Sequence, residues 1–131
     1  MLLTKECDYA IRVIRALSDH ERKTVKMICD KEHVPFNFAY KILKKLEHEG
    51  IVCSIRGING GYQLLLELNK ISIYDIINSV SDNLIINECL REGHVCPNNV
   101  KGKRCAVHEG LAQIQGDLIK TLKSKTMDMF V

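Results

Sequence analysis

Cys89, Cys96 and Cys105 fall within a stretch of 17 residues, with six and eight residues between them. His108 follows in the run Cys105-Ala106-Val107-His108. Thiolate and imidazole donors suit a soft or borderline metal, and three thiolates leave one position of a tetrahedral site or cluster to another ligand. His108 lies one helical turn past Cys105, so both side chains project from one face of a helix that begins there. A carboxylate from elsewhere in a dimer is the alternative fourth donor, and His94 is a weaker competitor. An isolated cysteine is ordinarily a small buried hydrophobe. That reading suits Cys7, Cys29 and Cys53, which sit among core-type residues of regular elements. It does not suit the other three, because Gly93, Pro97, Asn98, Asn99 and Gly102 make their surroundings a turn-rich loop that buries little.

A second set of residues has the chemistry to read a nucleic acid. Asn37, Phe38, Tyr40, Lys41, Lys44 and Lys45 point away from the apolar residues Ile42, Leu43 and Leu46 of the same segment. Asparagine can bond an adenine edge twice, and lysine reaches guanine acceptors or phosphates. Arg56 opens the run Arg56-Gly57-Ile58-Asn59-Gly60-Gly61, which presents Arg56 and Asn59 on a glycine-rich turn. Arginine offered in that way fits a narrow minor groove of strongly negative potential. Lysines on a helix are more commonly just a solvated face, so the neighbouring elements must decide. Charge agrees with them: residues 1–61 carry 11 Lys/Arg against 8 Asp/Glu, whereas residues 62–131 carry 8 of each. The excess of basic charge, +3 overall, lies where a polyanion would bind.

The elements that must position these groups can be read from periodicity. Ala10, Val13, Ile14 and Leu17 recur at helical spacing, which predicts a first helix from about Thr4 to Asp19 with Thr4 as its cap. Thr24 caps a short second helix with Val25, Ile28 and Cys29 inward, ended by the connection to Pro35. A third helix is expected over Asn37–His48, closed by a left-handed Gly50. Strands Ile51–Ile55 and Tyr62–Leu66 follow, joined by the glycine-rich turn. Ser72 and Asp75 are spaced as a capping box ahead of Ile73, Ile76, Ile77 and Val80. After a long irregular stretch, a last helix from Ala106 to Lys125 carries Leu111, Ile114, Leu118 and Leu122 at spacings of three and four. The expected fold is mainly α: a winged helix-turn-helix with a two-stranded wing and a long C-terminal dimerisation helix. The division is 1–80 for DNA binding, 81–105 for the cysteine loop and 106–131 for the dimerisation helix and tail.

Composition narrows the class. At 131 residues, with 46% hydrophobic and 27% charged, the chain is that of one globular domain. Its apolar runs, such as Leu64-Leu65-Leu66, are far too short to span a membrane. Its start, Met1-Leu2-Leu3-Thr4-Lys5-Glu6-Cys7-Asp8, lacks the order of an export signal, so a cytoplasmic location is expected. Six cysteines in that compartment imply metal, redox or packing roles, not disulfides.

The segment from Lys41 through Leu46, Gly50, Arg56, Gly57, Gly60 and Gly61 to Tyr62 resembles the recognition helix and wing of the IscR/NsrR-type bacterial regulators. Leu3-Thr4-Lys5-Glu6-Cys7-Asp8-Tyr9-Ala10-Ile11-Arg12 is similar to that family's first helix, and the three cysteines to its iron–sulfur loop. The resemblance implies a homodimer with paired C-terminal helices that binds a palindromic operator as a repressor or activator. It further implies a two-iron or four-iron cluster on Cys89, Cys96 and Cys105, with His108 as fourth ligand or Asp8 reaching across the dimer. The cysteine spacing is longer than is usual in that family. Tyr40-Lys41 replaces its acidic and amide pair, and Ile58-Asn59 its Pro-Gly pair. Rival readings are the same DNA-binding regulator with zinc or a thiol redox switch in the loop and, remotely, an iron–sulfur electron carrier. The carrier has no use for a wing, and the chain has no nucleotide-binding glycine motif, so no enzymatic activity is expected.

Overall fold

A computed structural model describes residues 3–82, 84–99 and 102–131. The loop expected over 81–105 thus includes Asn83, Val100 and Lys101, which lie outside the described residues. Helix α1 (Lys5–Ala16) starts at Thr4, whose hydroxyl accepts from the Cys7 amide at 3.3 Å. It buries Cys7, Ala10, Val13 and Ile14. Helix α2 (Val25–Glu32) is capped by Thr24 and stopped by His33 in the left-handed region (φ 55°). Helix α3 spans Phe36–His48 and buries Ala39, Ile42, Leu43 and Leu46. It starts one residue before the expected Asn37, because Pro35, which has no amide to leave unsatisfied, occupies the capping position. Gly50, at φ 74°, turns the chain out of α3.

Strands β1 (Val52–Ile55) and β2 (Gly61–Leu64) pair antiparallel with Ser54 opposite Tyr62. The second strand ends before the expected Leu66. Leu65 and Leu66 are 55% and 38% exposed, and the chain turns there into a 3-10 turn over Leu68–Lys70. Beyond its partner strand the wing is held by Lys23, which exchanges backbone hydrogen bonds of 2.9 and 2.8 Å with Tyr62. The approach is so close that a Cβ on Gly61 would stand 2.5 Å from the Lys23 carbonyl oxygen. Only glycine fits there without moving backbone.

Helix α4 (Ile73–Val80) begins with the expected capping box, in which Ser72 and Asp75 each satisfy the other's amide. Helix α5 (Ala106–Ser124) is the longest element and has no buried residue. Its end was expected at Lys125. Instead Lys125 is extended, and its carbonyl accepts from the Ile73 amide at 2.9 Å. The chain then runs antiparallel to Ser72 through Thr126 and enters a 3-10 turn, Met127–Phe130. Met127 is completely buried in the same core as α1, α3 and α4. That core is continuous: Ile14, Leu17, Ile28, Ile42, Leu43, Leu46, Ile76 and Ile77 are all within one cluster of buried side chains. Among the described residues no helix is long and apolar enough to cross a membrane.

Lys23 is 8% exposed, and its ammonium sits 2.6 Å from both carboxylate oxygens of Asp19. The hydrogen bond from Lys23, helped by one from the Glu21 amide, holds the Asp19 carboxyl below its ordinary range. A depressed carboxyl contributes stability above the unfolded-state value and loses it as pH falls through the folded one. Asp19→Asn is therefore expected to lower the thermal midpoint by a few degrees at neutral pH. The gap to the unsubstituted protein should narrow in unfolding measurements as pH falls through the lowered folded-state pKa of Asp19, and close in the acid below it, where the carboxyl is protonated.

Candidate nucleic-acid interface and cysteine pocket

The outward face of α3 presents Asn37, Phe38, Tyr40, Lys41 and Lys44, and the wing turn presents Arg56 and Asn59; all are exposed. Among the described residues, Lys41, Lys44 and Arg56 form no ion pair. Lys45 behaves differently. Its ammonium is 2.7 Å from Glu6 Oε1 and 3.0 Å from the Val80 carbonyl, so it ties α3 to α1 and α4. Phe38 also serves the fold in part, meeting Tyr9 of α1 edge-on with ring centroids 5.2 Å apart. Lys41, Asn37 and Phe38 rim a cavity of about 240 Å³ closed by Glu6 and Lys45. One exposed residue escaped the sequence reading: Phe36, at the start of α3, stacks on Tyr40. Its spacing of four from Tyr40, directly after Pro35, was the available signal.

The wing turn is built on backbone constraints. Gly57 takes φ 104°, and a Cβ on Gly60 would lie 2.7 Å from the Ile55 carbonyl oxygen. The Arg22 guanidinium donates to the Gly60 carbonyl at 2.6 Å, bracing the turn from the α1–α2 connection. This leaves Arg56, Ile58 and Asn59 at the tip, with Ile58 fully exposed.

At the other site, Cys89 lies in a 3-10 turn over Glu88–Leu90, Cys96 in irregular chain, and Cys105 immediately before α5. His108 is in the first turn of α5. All four line one cavity of about 240 Å³, together with Asn87, Asn98, Asn99 and Val107. Asn87 donates from Nδ2 to Cys89 Sγ at 3.2 Å while its Oδ1 accepts from the Glu88 amide at 3.1 Å. Asn99 Oδ1 accepts from the Cys105 amide at 3.4 Å. The donors share the cavity without closing on one point: among the described residues no three His, Cys, Asp or Glu side chains are grouped to hold a metal ion. The donor set, three thiols and an imidazole around one small cavity, is the chemistry an iron–sulfur cluster or zinc requires.

The other candidates are elsewhere. His94 is exposed and does not line this cavity, and Asp8 is on α1, where Arg12 Nε bonds both its oxygens at 3.2 Å. Cys7 is in the core. Cys29 is half-buried, and burial raises its thiol pKa, the opposite of what a reactive thiolate needs. His20 has its ring 3.1 Å from the Leu66 carbonyl, away from this cavity.

Comparison with known proteins places the fold in a family. The Rrf2 family, described as "Iron-dependent Transcriptional regulator", matches residues 3–131. The chain is 32% identical over 120 residues to the HTH-type transcriptional regulator NsrR of Shouchella clausii, covering 86% of this chain and 78% of that protein. Its fold is similar to that of IscR from T. potens, with a TM-score of 0.76 and 19% identity over 96% of this chain and 82% of the other. It is also similar to that of CymR, described as the global cysteine regulator of B. subtilis, with a TM-score of 0.75 and 22% identity over 96% and 92% of the two chains. Both folds share the helices and two-stranded wing found here. The relatives are regulators of transcription and not enzymes, and this chain belongs to the Rrf2 family of transcriptional regulators.

Proposed function

We propose that the chain is a dimeric DNA-binding regulator whose operator affinity is set by an iron–sulfur cluster in the cysteine pocket. The observation that carries this reading is the shared cavity of Cys89, Cys96, Cys105 and His108 at the start of α5. Those four residues would hold the cluster, with Asp8 of a second copy as the alternative fourth ligand. When bound, such a cluster supplies iron–thiolate bonds that respond to oxidants, nitric oxide or iron supply.

The remaining steps belong to this chain's own residues. The loop is pinned to α5 by the Ile86 amide, which donates to Gln115 Oε1 at 3.0 Å. Helix α5 packs on α4, with the Lys123 ammonium 4.8 Å from the Tyr74 ring centroid. Drawing the four donors together therefore shifts α5, and α4 carries the shift to the core under α3. Val107 and Ile114 of α5 are 67% and 58% exposed, an apolar face that a second copy would cover. In such a dimer the two α3 helices would enter major grooves of half-sites one helical turn apart, with Arg56 in the flanking minor groove. Residues 1–80 would be the DNA-binding unit, 81–105 the sensing loop and 106–131 the dimerisation element.

The experiment is anaerobic purification followed by a visible spectrum and iron, sulfide and zinc content. Coloured protein with stoichiometric iron and sulfide supports the cluster. Colourless protein with one zinc or with three titratable loop thiols moves the sensor to zinc or thiol chemistry. The likeness to CymR, together with the open spacing of the donors, makes that the second reading. For DNA, Arg56→Ala and Lys41→Ala are each expected to weaken operator binding by about 1–3 kcal/mol and lower the salt slope by about one. Unchanged binding by both variants in a gel-shift salt series would reject this docking.

A further inference from the structure

Phe36 and Tyr40 are 63% and 46% exposed, and their rings stack at 6.4 Å with an interplanar angle of 14°. The Lys44 ammonium lies 5.5 Å from the Tyr40 ring centroid. Together they form a stripe at i, i+4 and i+8 along α3, pointing away from Ala39 and Leu43 in the core. Two large rings on one helix face are thus left substantially exposed to water. Stacking on Tyr40 and the cation above it limit where the rings can turn, so the stripe is preset as a flat apolar strip. Lys41 and Lys44 border it, which makes the surroundings suited to a polyanion and poorly suited to an apolar protein surface.

Inside a major groove the one apolar feature of the base edges is the C5-methyl group of a pyrimidine, and aromatic side chains are among its known contacts. We infer that the Phe36–Tyr40 strip reads pyrimidine C5-methyl groups, which makes Phe36 a specificity-determining residue of the DNA interface. The inference rests on the DNA-reading proposal above. It is independent of what the cysteine pocket holds. Thymine and 5-methylcytosine present the same methyl, and the two are separated by test.

The full-length protein is used to select duplexes from a randomised DNA library. In the selected duplex each thymine is then replaced in turn by deoxyuridine, which removes only the methyl. The expected result is an affinity loss of about fourfold at one or two positions per half-site, the worth of burying one methyl-sized group. At those positions a 5-methyl-dC·dG pair should bind more tightly than dC·dG if methylcytosine is also read, and equally if thymine alone is. Phe36→Ala should keep the thermal midpoint and flatten the uracil profile, whereas Lys41→Ala should weaken every duplex alike. Wild-type protein that binds its selected duplex but ignores every thymine-to-uracil change overturns the inference. So does a Phe36→Ala variant with the wild-type profile. Failure to select any duplex rejects the DNA-reading proposal itself, and this inference with it.

Discussion

Alanine at Cys89, Cys96 or Cys105 is expected to abolish the visible absorbance and bound iron of anaerobically prepared protein, each substitution acting alone. With four donors around a cavity of about 240 Å³, loss of one thiolate leaves three, and no other described cysteine or histidine lines that cavity to replace it. Cys7 is sealed in the core, while Cys29 and Cys53 belong to α2 and β1. Alanine is preferable to serine at Cys105, because that residue is the N-cap of α5 and makes no side-chain cap bond. A serine there would add a helix-stabilising hydroxyl and confuse the readout. His108→Ala should have a graded effect: the cluster is assembled but lost faster, since three thiolates still hold it and a water or a carboxylate can take the fourth position. If His108→Ala retains wild-type iron and Asp8→Ala loses it, the fourth ligand comes from α1 of a second copy. Alanine at Cys29 or Cys53 should leave iron and colour unchanged. Full iron content in all three loop variants would place the metal elsewhere.

Much of this architecture is legible in the residues because several local signals coincide. Thr4, Thr24, Ser72 and Asp75 mark helix starts by hydroxyl and carboxylate caps, and the structure shows each cap bond. Ile42, Leu43 and Leu46 fix which side of α3 is buried, and so which side faces out. Other features arise from contacts between distant segments, which periodicity does not report. The bond of Lys45 to Glu6 needs α1 beside α3, so Lys45 read as one more basic residue on an outward face. The bridge of Lys23 to Tyr62 requires the wing to fold back on the α1–α2 connection, and its only local trace is Gly61. The cysteine pocket shows the same division. Residue type and loop composition single out Cys89, Cys96, Cys105 and His108, and the fold places them around one cavity. Among the described residues of the single chain those donors line the cavity without closing on one point, a spacing that no local pattern in the sequence encodes. Helix α5 illustrates the point most plainly, with an apolar repeat obvious in sequence and no residue buried in the single chain.

Met127→Ala is expected to cost about 2–4 kcal/mol of stability, within the range for truncating a fully buried methionine. No periodicity marks Met127, which follows the polar residues Ser124-Lys125-Thr126 at the end of α5, yet its side chain has no exposure at all. It is locked there by backbone: its amide donates to the Ile71 carbonyl at 2.9 Å, and two residues earlier the Lys125 carbonyl accepts from Ile73. These bonds tie the far end of α5 to the start of α4, while Cys105 and His108 occupy its near end. A helix with no buried residue of its own thus depends on Met127 for much of its attachment to the DNA-binding core. The substitution should lower the thermal midpoint and raise amide exchange in α5 and the Ser72–Thr126 bridge, with α2 and the wing less affected. It should also loosen the coupling between loop and DNA, so that operator affinity changes less on cluster loss than in the wild type. Met127→Leu, close in volume, should restore most of both properties. A Met127→Ala protein with wild-type stability, or with full coupling despite the stability loss, would show that α5 communicates with the core through its contacts on α4 alone.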